Sequence, residues 1–413
     1  MRKTVLFAAS ILAAGLLAAP VMSQQATTLP DLEKSFDTFI SPPEMDGWMK
    51  KMAAEPNHVG SSHDKLNAED TLAQFKAWGW DAHIETFKVL YPTPLKVSLE
   101  LTTPKKFAAT LTERPIPGDA TSSRTKNELP AYVAFQGDGD VTAPIVYVNY
   151  GMPDDYKALE RMGVDVKGKI VIARYGQGWR GLKPKLAQDH GAVGCIIYSD
   201  PRDDGFSQDD VYPKGAARPP QGFQRGSVAD MPLYPGDPLT PGYGATDDAV
   251  RLLREDAPTI LKIPVLPISY GDAEKFLSAM GGNVVPANWR GSIPITYHVG
   301  GTDAAKAHLV VKSEWSLKTI YNVVAKMQGS LYPDQWVMRG NHHDGWVFGA
   351  SDPISGHIAM MAEAKAIDLG KQKMILHARD TAMEFYLSLG YSIVGDSFEE
   401  VGIPHHRMEK SFV

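Results

Sequence analysis

The chain has 413 residues, with 42 Lys plus Arg against 48 Asp plus Glu, a net charge of −6 and a hydrophobic fraction of 43%. That length allows two or three domains and a sizeable core. The acidic balance excludes a non-specific nucleic-acid binder, which needs a basic face, and one cysteine, Cys195, excludes an internal disulfide.

Arg2 and Lys3 open the chain, Val5–Ala19 is almost wholly apolar, Pro20 ends the run, and Val21-Met22-Ser23 offers small residues near a cleavage site. This order predicts a secretory signal peptide over 1–23 and a periplasmic or secreted mature protein beginning at Gln24. The apolar run is shorter than the ~20 residues a membrane span needs, and no later segment reads as a span.

Residues 31–55 and 64–78 are predicted helical. In the second, Ala68, Leu72, Phe75 and Trp78 share one face. The Gly-Trp-Asp step at 79–81 ends it, and strands are predicted at His83–Leu90 and Leu95–Leu101. From about 102 to 312 Pro and Gly become frequent. Short β-rich runs appear at Ile145–Asn149, Lys169–Arg174 and Val193–Tyr198, with a helix at Leu182–His190 between the last two. Cys195 sits in the apolar run Gly194–Tyr198 and reads as a buried thiol. Beyond 312, strands are predicted at Ser316–Met327 and Gln335–Arg339, then a polar turn, then a helix at His357–Asp368 closed by Gly370.

His342, Asp344 and Asp352 stand out; ligands in open α/β sheets collect beyond the carboxyl ends of strands, and His342 lies just past such an end. Imidazole and carboxylate together suit zinc. Asp344 is placed to accept the second ring N–H of His342. Asp352 precedes Pro353, which favours an extended backbone there, and a carboxylate so held can bridge two metals. The same residues also fit a solvated turn with Asp352 as a helix cap.

The segment Gly340–Gly356 (GNHHDGWVFGASDPISG) resembles the metal-site segment of the glutamate carboxypeptidase and folate hydrolase family, co-catalytic zinc peptidases related to the transferrin receptor. Gly168–Gly176 (GKIVIARYG) and Gly236–Tyr243 (GDPLTPGY) resemble that family's protease-associated domain. The resemblance covers roughly 40–370. It implies an α/β fold: a truncated doubly wound zinc-exopeptidase domain (24–95 and 313–370) with an inserted β-rich protease-associated, or apical, domain (96–312). It also implies that His342 ligates one zinc, Asp352 bridges two, and Asp344 orients His342. Arg180 would grip the carboxylate of a peptide substrate, and the carbonyls of Thr240 and Tyr243 would bind a structural calcium. Ser227 stands where the carboxypeptidases have asparagine, which weakens any carry-over of a glutamate preference. Relatives often form homodimers.

The resemblance further implies a later strand ending in a Glu-Glu pair, one base and one ligand, then another Asp and a distant His. None follows Gly370; Glu399-Glu400 lies in a different context. Little or no peptidase activity is therefore expected of this chain. A doubly wound sheet without its later strands is also expected to leave an unpaired edge and uncovered apolar surface. Residues 371–413 read as a fused fragment: Ala378–Tyr391 and Phe398–Met408 resemble the closing helix and strand of GNAT N-acetyltransferases. That likeness puts Tyr386 where a tyrosine protonates the leaving thiolate, but the preceding loop that grips acetyl-CoA is missing, and Tyr386 equally fits the core of an amphipathic helix. Two alternatives to the peptidase thus stand, a peptide- or partner-binding module without catalysis and an acetyltransferase fragment.

Overall fold

The computed structural model of the protein describes residues 38–124, 126–329, 333–368, 373–379, 383–388, 391–400 and 403–411. The predicted signal peptide lies outside the described residues. One compact unit spans 41–369, and the residues from 370 onward belong to a second.

The first unit opens with α1 (Pro42–Met52) and α2 (Ser62–Ala77). Of the helix predicted over 31–55, residues 31–37 lie outside the described residues; α1 begins at Pro42, where Ser41 caps it through Glu44 N–H (3.4 Å) and prolines occupy its first two positions. Ser61 caps α2 by accepting from Asp64 N–H at 3.2 Å. Ala68, Phe75 and Trp78 are buried as predicted, and Leu72 is partly buried.

The two strands predicted after α2 are a single strand, β1 (Asp81–Thr103). It pairs antiparallel with β9 (Lys306–Lys326), from Asp81 opposite Lys326 to Thr103 opposite Lys306. Pro92 and Pro94 suggested a break, and parity explains why there is none. Lys88 N–H donates to the Ala245 carbonyl and Leu90 N–H to Asp237 Oδ1, so even-numbered N–H groups here point away from β9. Prolines at 92 and 94 share that parity and remove nothing from the ladder; the strain is confined to a register shift between Pro94 and Lys96.

The short strand β2 (Phe107–Ala108) follows, then β3 (Val133–Ala134), β4 (Gly139–Tyr147), α3 (Pro153–Arg161), β5 (Ile170–Arg174), α4 (Leu182–Asp189), β6 (Gly194–Tyr198), β7 (Gly226–Ser227), β8 (Val265–Ile268) and α5 (Tyr270–Ala279). The main sheet has seven strands in the order β2-β1-β9-β4-β5-β6-β8. It is antiparallel from β2 to β4 and parallel from β4 to β8. Every residue of β5 and β6 is buried, as parallel strands covered on both faces require. Cys195 lies in that core, where burial pushes its thiol far above the usual range. The mixed α/β architecture is present, with its parallel strands in the middle of the chain. Both β1 and β9 run through the expected domain boundaries at 95/96 and 312/313, so one long ribbon carries the chain across them.

Gln335–Arg339 does not form a strand; it is exposed, with Trp336 at 73% and Met338 at 77%. A strand exists only through a neighbour's hydrogen bonds, and no described strand pairs with this segment. The chain then turns into α6 (Ser355–Asp368), whose Ile358 and Met361 close a second core with Ile354, Met52, Phe75 and Trp78.

The second unit holds β10 (Lys373–Arg379), α7 (Met383–Ser388), β11 (Ser392–Ile393), β12 (Phe398–Glu400) and β13 (Ile403–Ser411). β10, β11 and β12 all pair antiparallel with β13. Tyr386 packs with Met383 against buried Tyr391 and Met408, a core position. Among the described residues, no helix is long and apolar enough to cross a membrane.

Candidate metal site

The segment between β9 and α6 is built around two glycines. Asn57 N–H donates to the Val347 carbonyl (3.0 Å) and Gly345 N–H to the Asn57 carbonyl (3.1 Å), bringing the backbones so close that a Cβ on Gly345 would sit 2.4 Å from Asn57 Oδ1. Gly349 takes φ +67°, a left-handed turn that favours glycine. The chain then passes through Asp352, which is extended (φ −129°, ψ 108°) ahead of Pro353, as the dipeptide predicts.

This turn brings His342, Asp344 and Asp352 together. His342 Nδ1 lies 3.2 Å from Asp344 Oδ1 and 3.0 Å from the Asp344 carbonyl, while Nε2 lies 3.2 Å from Asp352 Oδ1. The Asp344 hydrogen bond, reinforced by both carboxylate charges, outweighs partial burial and raises the His342 pKa above its ordinary value. His342 and Asp352 both face solvent.

The donor geometry fits a metal in part. Bonds of ~2.0–2.1 Å at a tetrahedral angle set two donor atoms about 3.3 Å apart. The 3.2 Å between Nε2 and Oδ1 suits neighbouring positions on one ion. Asp344 occupies the other ring nitrogen, the arrangement that fixes a ligating histidine's tautomer. Two donors leave a tetrahedral shell half filled. Among the described residues, no group of three or more His, Cys, Asp or Glu is gathered to hold a metal ion.

The other predicted positions lie apart from this turn. Arg180 follows Trp179, packs over its ring (5.2 Å) and donates to Gln224 Oε1 at 3.4 Å. Its guanidinium rests on Gly226, where a Cβ would lie 1.8 Å from Nη1. Ser227 Oγ accepts from Ala229 N–H at 3.2 Å. Thr240 donates its hydroxyl to Asp237 Oδ2 (2.9 Å), and its carbonyl accepts from Tyr243 N–H at 3.4 Å. These contacts describe a self-contained turn at the expected calcium position.

Sequence reasoning missed the buried layer under the turn. His343 points inward, with Nδ1 2.8 Å from Asp64 Oδ1 and Nε2 2.9 Å from the Tyr321 carbonyl. Burial lowers its pKa, but the Asp64 hydrogen bond and charge outweigh that, and the net shift is upward. His357, on α6, is 1% exposed, and its Nε2 lies 2.9 Å from Thr71 Oγ1. Burial and the neighbouring His343 push it down to about 4. His343 and Asp64 are separated by most of the chain, so no local spacing announces them.

With this geometry in place, comparison with known proteins shows what the chain is similar to. The PA domain family matches residues 141–230, which contain most of β4, all of β5–β7, Arg180 and Ser227. The acetyltransferase (GNAT) domain family matches 343–412; within that range, contacts put 343–369 in the first unit. A glutamate carboxypeptidase 2 homolog of Caenorhabditis briggsae is 35% identical over 353 residues, covering 81% of this chain and 45% of that protein. Aminopeptidase NAALADL1 of Rattus norvegicus is 32% identical over 337 residues, covering 77% of this chain and 45% of that protein. A solved peptidase M28 precursor from Shewanella amazonensis aligns over 82% of this chain and 62% of that chain, with 18% identity and a TM-score of 0.47. The chain spans less than half the length of these two curated relatives. Over the shared stretch it is similar to the glutamate carboxypeptidases, with a PA-domain match in its middle and a GNAT match at its C-terminal segment.

Proposed function

We propose that the chain supplies the first portion of a zinc exopeptidase site and that, by itself, it does not hydrolyse peptides. The observation that carries this reading is the 3.2 Å approach of His342 Nε2 to Asp352 Oδ1, with Asp344 on the opposite ring nitrogen. When bound, zinc supplies Lewis acidity toward water and the peptide carbonyl. This chain's residues hold two donors in register and fix the imidazole. Among the described residues no group of three or more metal-holding side chains is gathered there, and a positioned acid–base group contributes typically ~10²–10⁴-fold. Zinc is expected to bind weakly, and His342→Ala to abolish that binding, as read by calorimetry. Dipeptides incubated with the chain and excess zinc are expected to remain intact. Zinc-dependent cleavage that disappears in His342→Ala would overturn the inactivity.

A second reading, peptide binding without cleavage, draws on the middle region. There a fully buried parallel sheet supports a part-buried Arg180, whose planar fork suits a carboxylate. Peptide binding retained after zinc removal, and lost in Arg180→Ala, separates this reading from the first. Calcium at Thr240 and Tyr243, homodimerisation and an acetyltransferase role rest on resemblance alone.

Export to the periplasm or beyond is part of the proposal, motivated by residues 1–23. Mass spectrometry of the expressed protein is expected to find Gln24 at the N-terminus. An intact Met1 in the cytoplasmic fraction would contradict export.

A further inference from the structure

His342 and Asp344 face outward from the turn, and the residue between them faces inward, as alternation in an extended segment dictates. That inward residue is tied to two separate elements. His343 Nδ1 meets Asp64, in the first turn of α2, and Nε2 meets the carbonyl of Tyr321 on β9. The side chains of His343 and Asp64 are only 11% and 3% exposed. A third element closes the arrangement: the His357 ring of α6 stands edge-on to His343 at 5.7 Å. Space-filling alone would be met by an apolar side chain. Here Nε2 is hydrogen-bonded to the Tyr321 carbonyl and Nδ1 stands at ion-pair distance from Asp64 Oδ1, so the ring is held between two fixed neighbours.

We propose that His343, held by Asp64 and the Tyr321 carbonyl, is a positioning residue that keeps His342 Nε2 and Asp352 Oδ1 at metal-binding separation. The inference rests on the reading of His342 and Asp352 as ligands. It adds that their geometry is imposed from the buried side by a histidine–carboxylate pair. Such supporting partners typically change metal affinity by ~10–100-fold.

The test uses the full chain labelled with ¹⁵N-histidine, the variants His343→Gln and Asp64→Asn, and the double variant. The first readout is the His342 side-chain ¹H–¹⁵N pattern in metal-free protein. The second is a zinc titration followed on the same resonance. Each single variant is expected to shift the His342 pattern toward that of a free histidine and to weaken zinc binding by about 10–100-fold. The double variant is expected to be no worse than either single one, because both break the same link. A merely structural role would lower the melting midpoint while leaving the His342 pattern and zinc affinity of the folded protein within twofold of wild type, and that result overturns the proposal. If zinc leaves the wild-type His342 resonance unmoved, the ligand reading fails. The clamp then stands or falls on the metal-free pattern alone: a shift in both variants supports it, and no shift overturns it.

Discussion

Arg225→Met is expected to lower the unfolding free energy of the unit spanning 41–369 by about 3 kcal/mol. Arg225 donates Nε to the carbonyls of Leu129 (2.9 Å) and Pro130 (3.1 Å), Nη1 to Glu113 (3.1 Å) and Nη2 to Glu128 (3.0 Å). Its side chain is 5% exposed. Methionine fills similar volume but leaves two carboxylates and two carbonyls without a donor. Burial already raises the pKa of Glu128 despite the arginine. Adding Glu113→Gln and Glu128→Gln is expected to recover part of the loss, because the repulsion between bare carboxylates disappears. The effect reaches the proposed peptide-binding region, since Arg225 leads into β7, and Gly226 of β7 is the surface on which Arg180 rests. Denaturant titration reads the prediction; a change below about 0.5 kcal/mol, the scale of an ordinary surface substitution, would contradict it.

His357→Phe is expected to flatten the acid side of the same unit's stability profile. The imidazole has an ordinary value of 6.5 and is pushed down to about 4 in the folded state by burial and by the neighbouring His343. Between those values the unfolded chain takes up the proton and the folded one does not, so stability falls as pH falls from 6.5 towards 4. At about 1.4 kcal/mol per unit, that amounts to about 3 kcal/mol. Phenylalanine cannot take the proton, and its variant should lack this slope while losing the Thr71 contact at every pH. His343 works in the opposite sense. Its pKa is raised, so its contribution is complete below about 6.5 and is lost as pH rises through the folded value. Urea titrations from pH 4 to 7.5 compare the slopes, and equal slopes in wild type and variant would sink this assignment.

What could be read from the sequence follows the range of the interactions involved. The runs at 169–174 and 193–198 were legible because a strand buried on both faces is uninterrupted in its apolarity, and Ile170, Ile172, Ile196 and Ile197 are indeed fully buried. Asp352 was legible because Pro353 acts on its immediate predecessor. The continuity of β1 was not, because the tolerance of Pro92 and Pro94 depends on which way Leu90 N–H points. That direction is set by Asp237, far along the chain. Gln335–Arg339 has the composition of a strand but lacks a paired neighbour, and composition carries no information about the neighbour. The outward-facing His342 and Asp344 could be singled out from spacing. Their inward anchor could not, because Asp64, Thr71 and Tyr321 meet the turn only in three dimensions.

This chain is proposed to offer zinc one imidazole, His342, and one carboxylate, Asp352. X-ray absorption at the zinc edge, on the full chain loaded with one equivalent, tests it most directly. The predicted spectrum shows a single histidine nitrogen, with the remaining shell made of oxygen from carboxylate and water, and the histidine signal vanishing in His342→Ala. Two zinc ions per chain at a short metal–metal distance, or a shell with several histidines that survives His342→Ala, would contradict it.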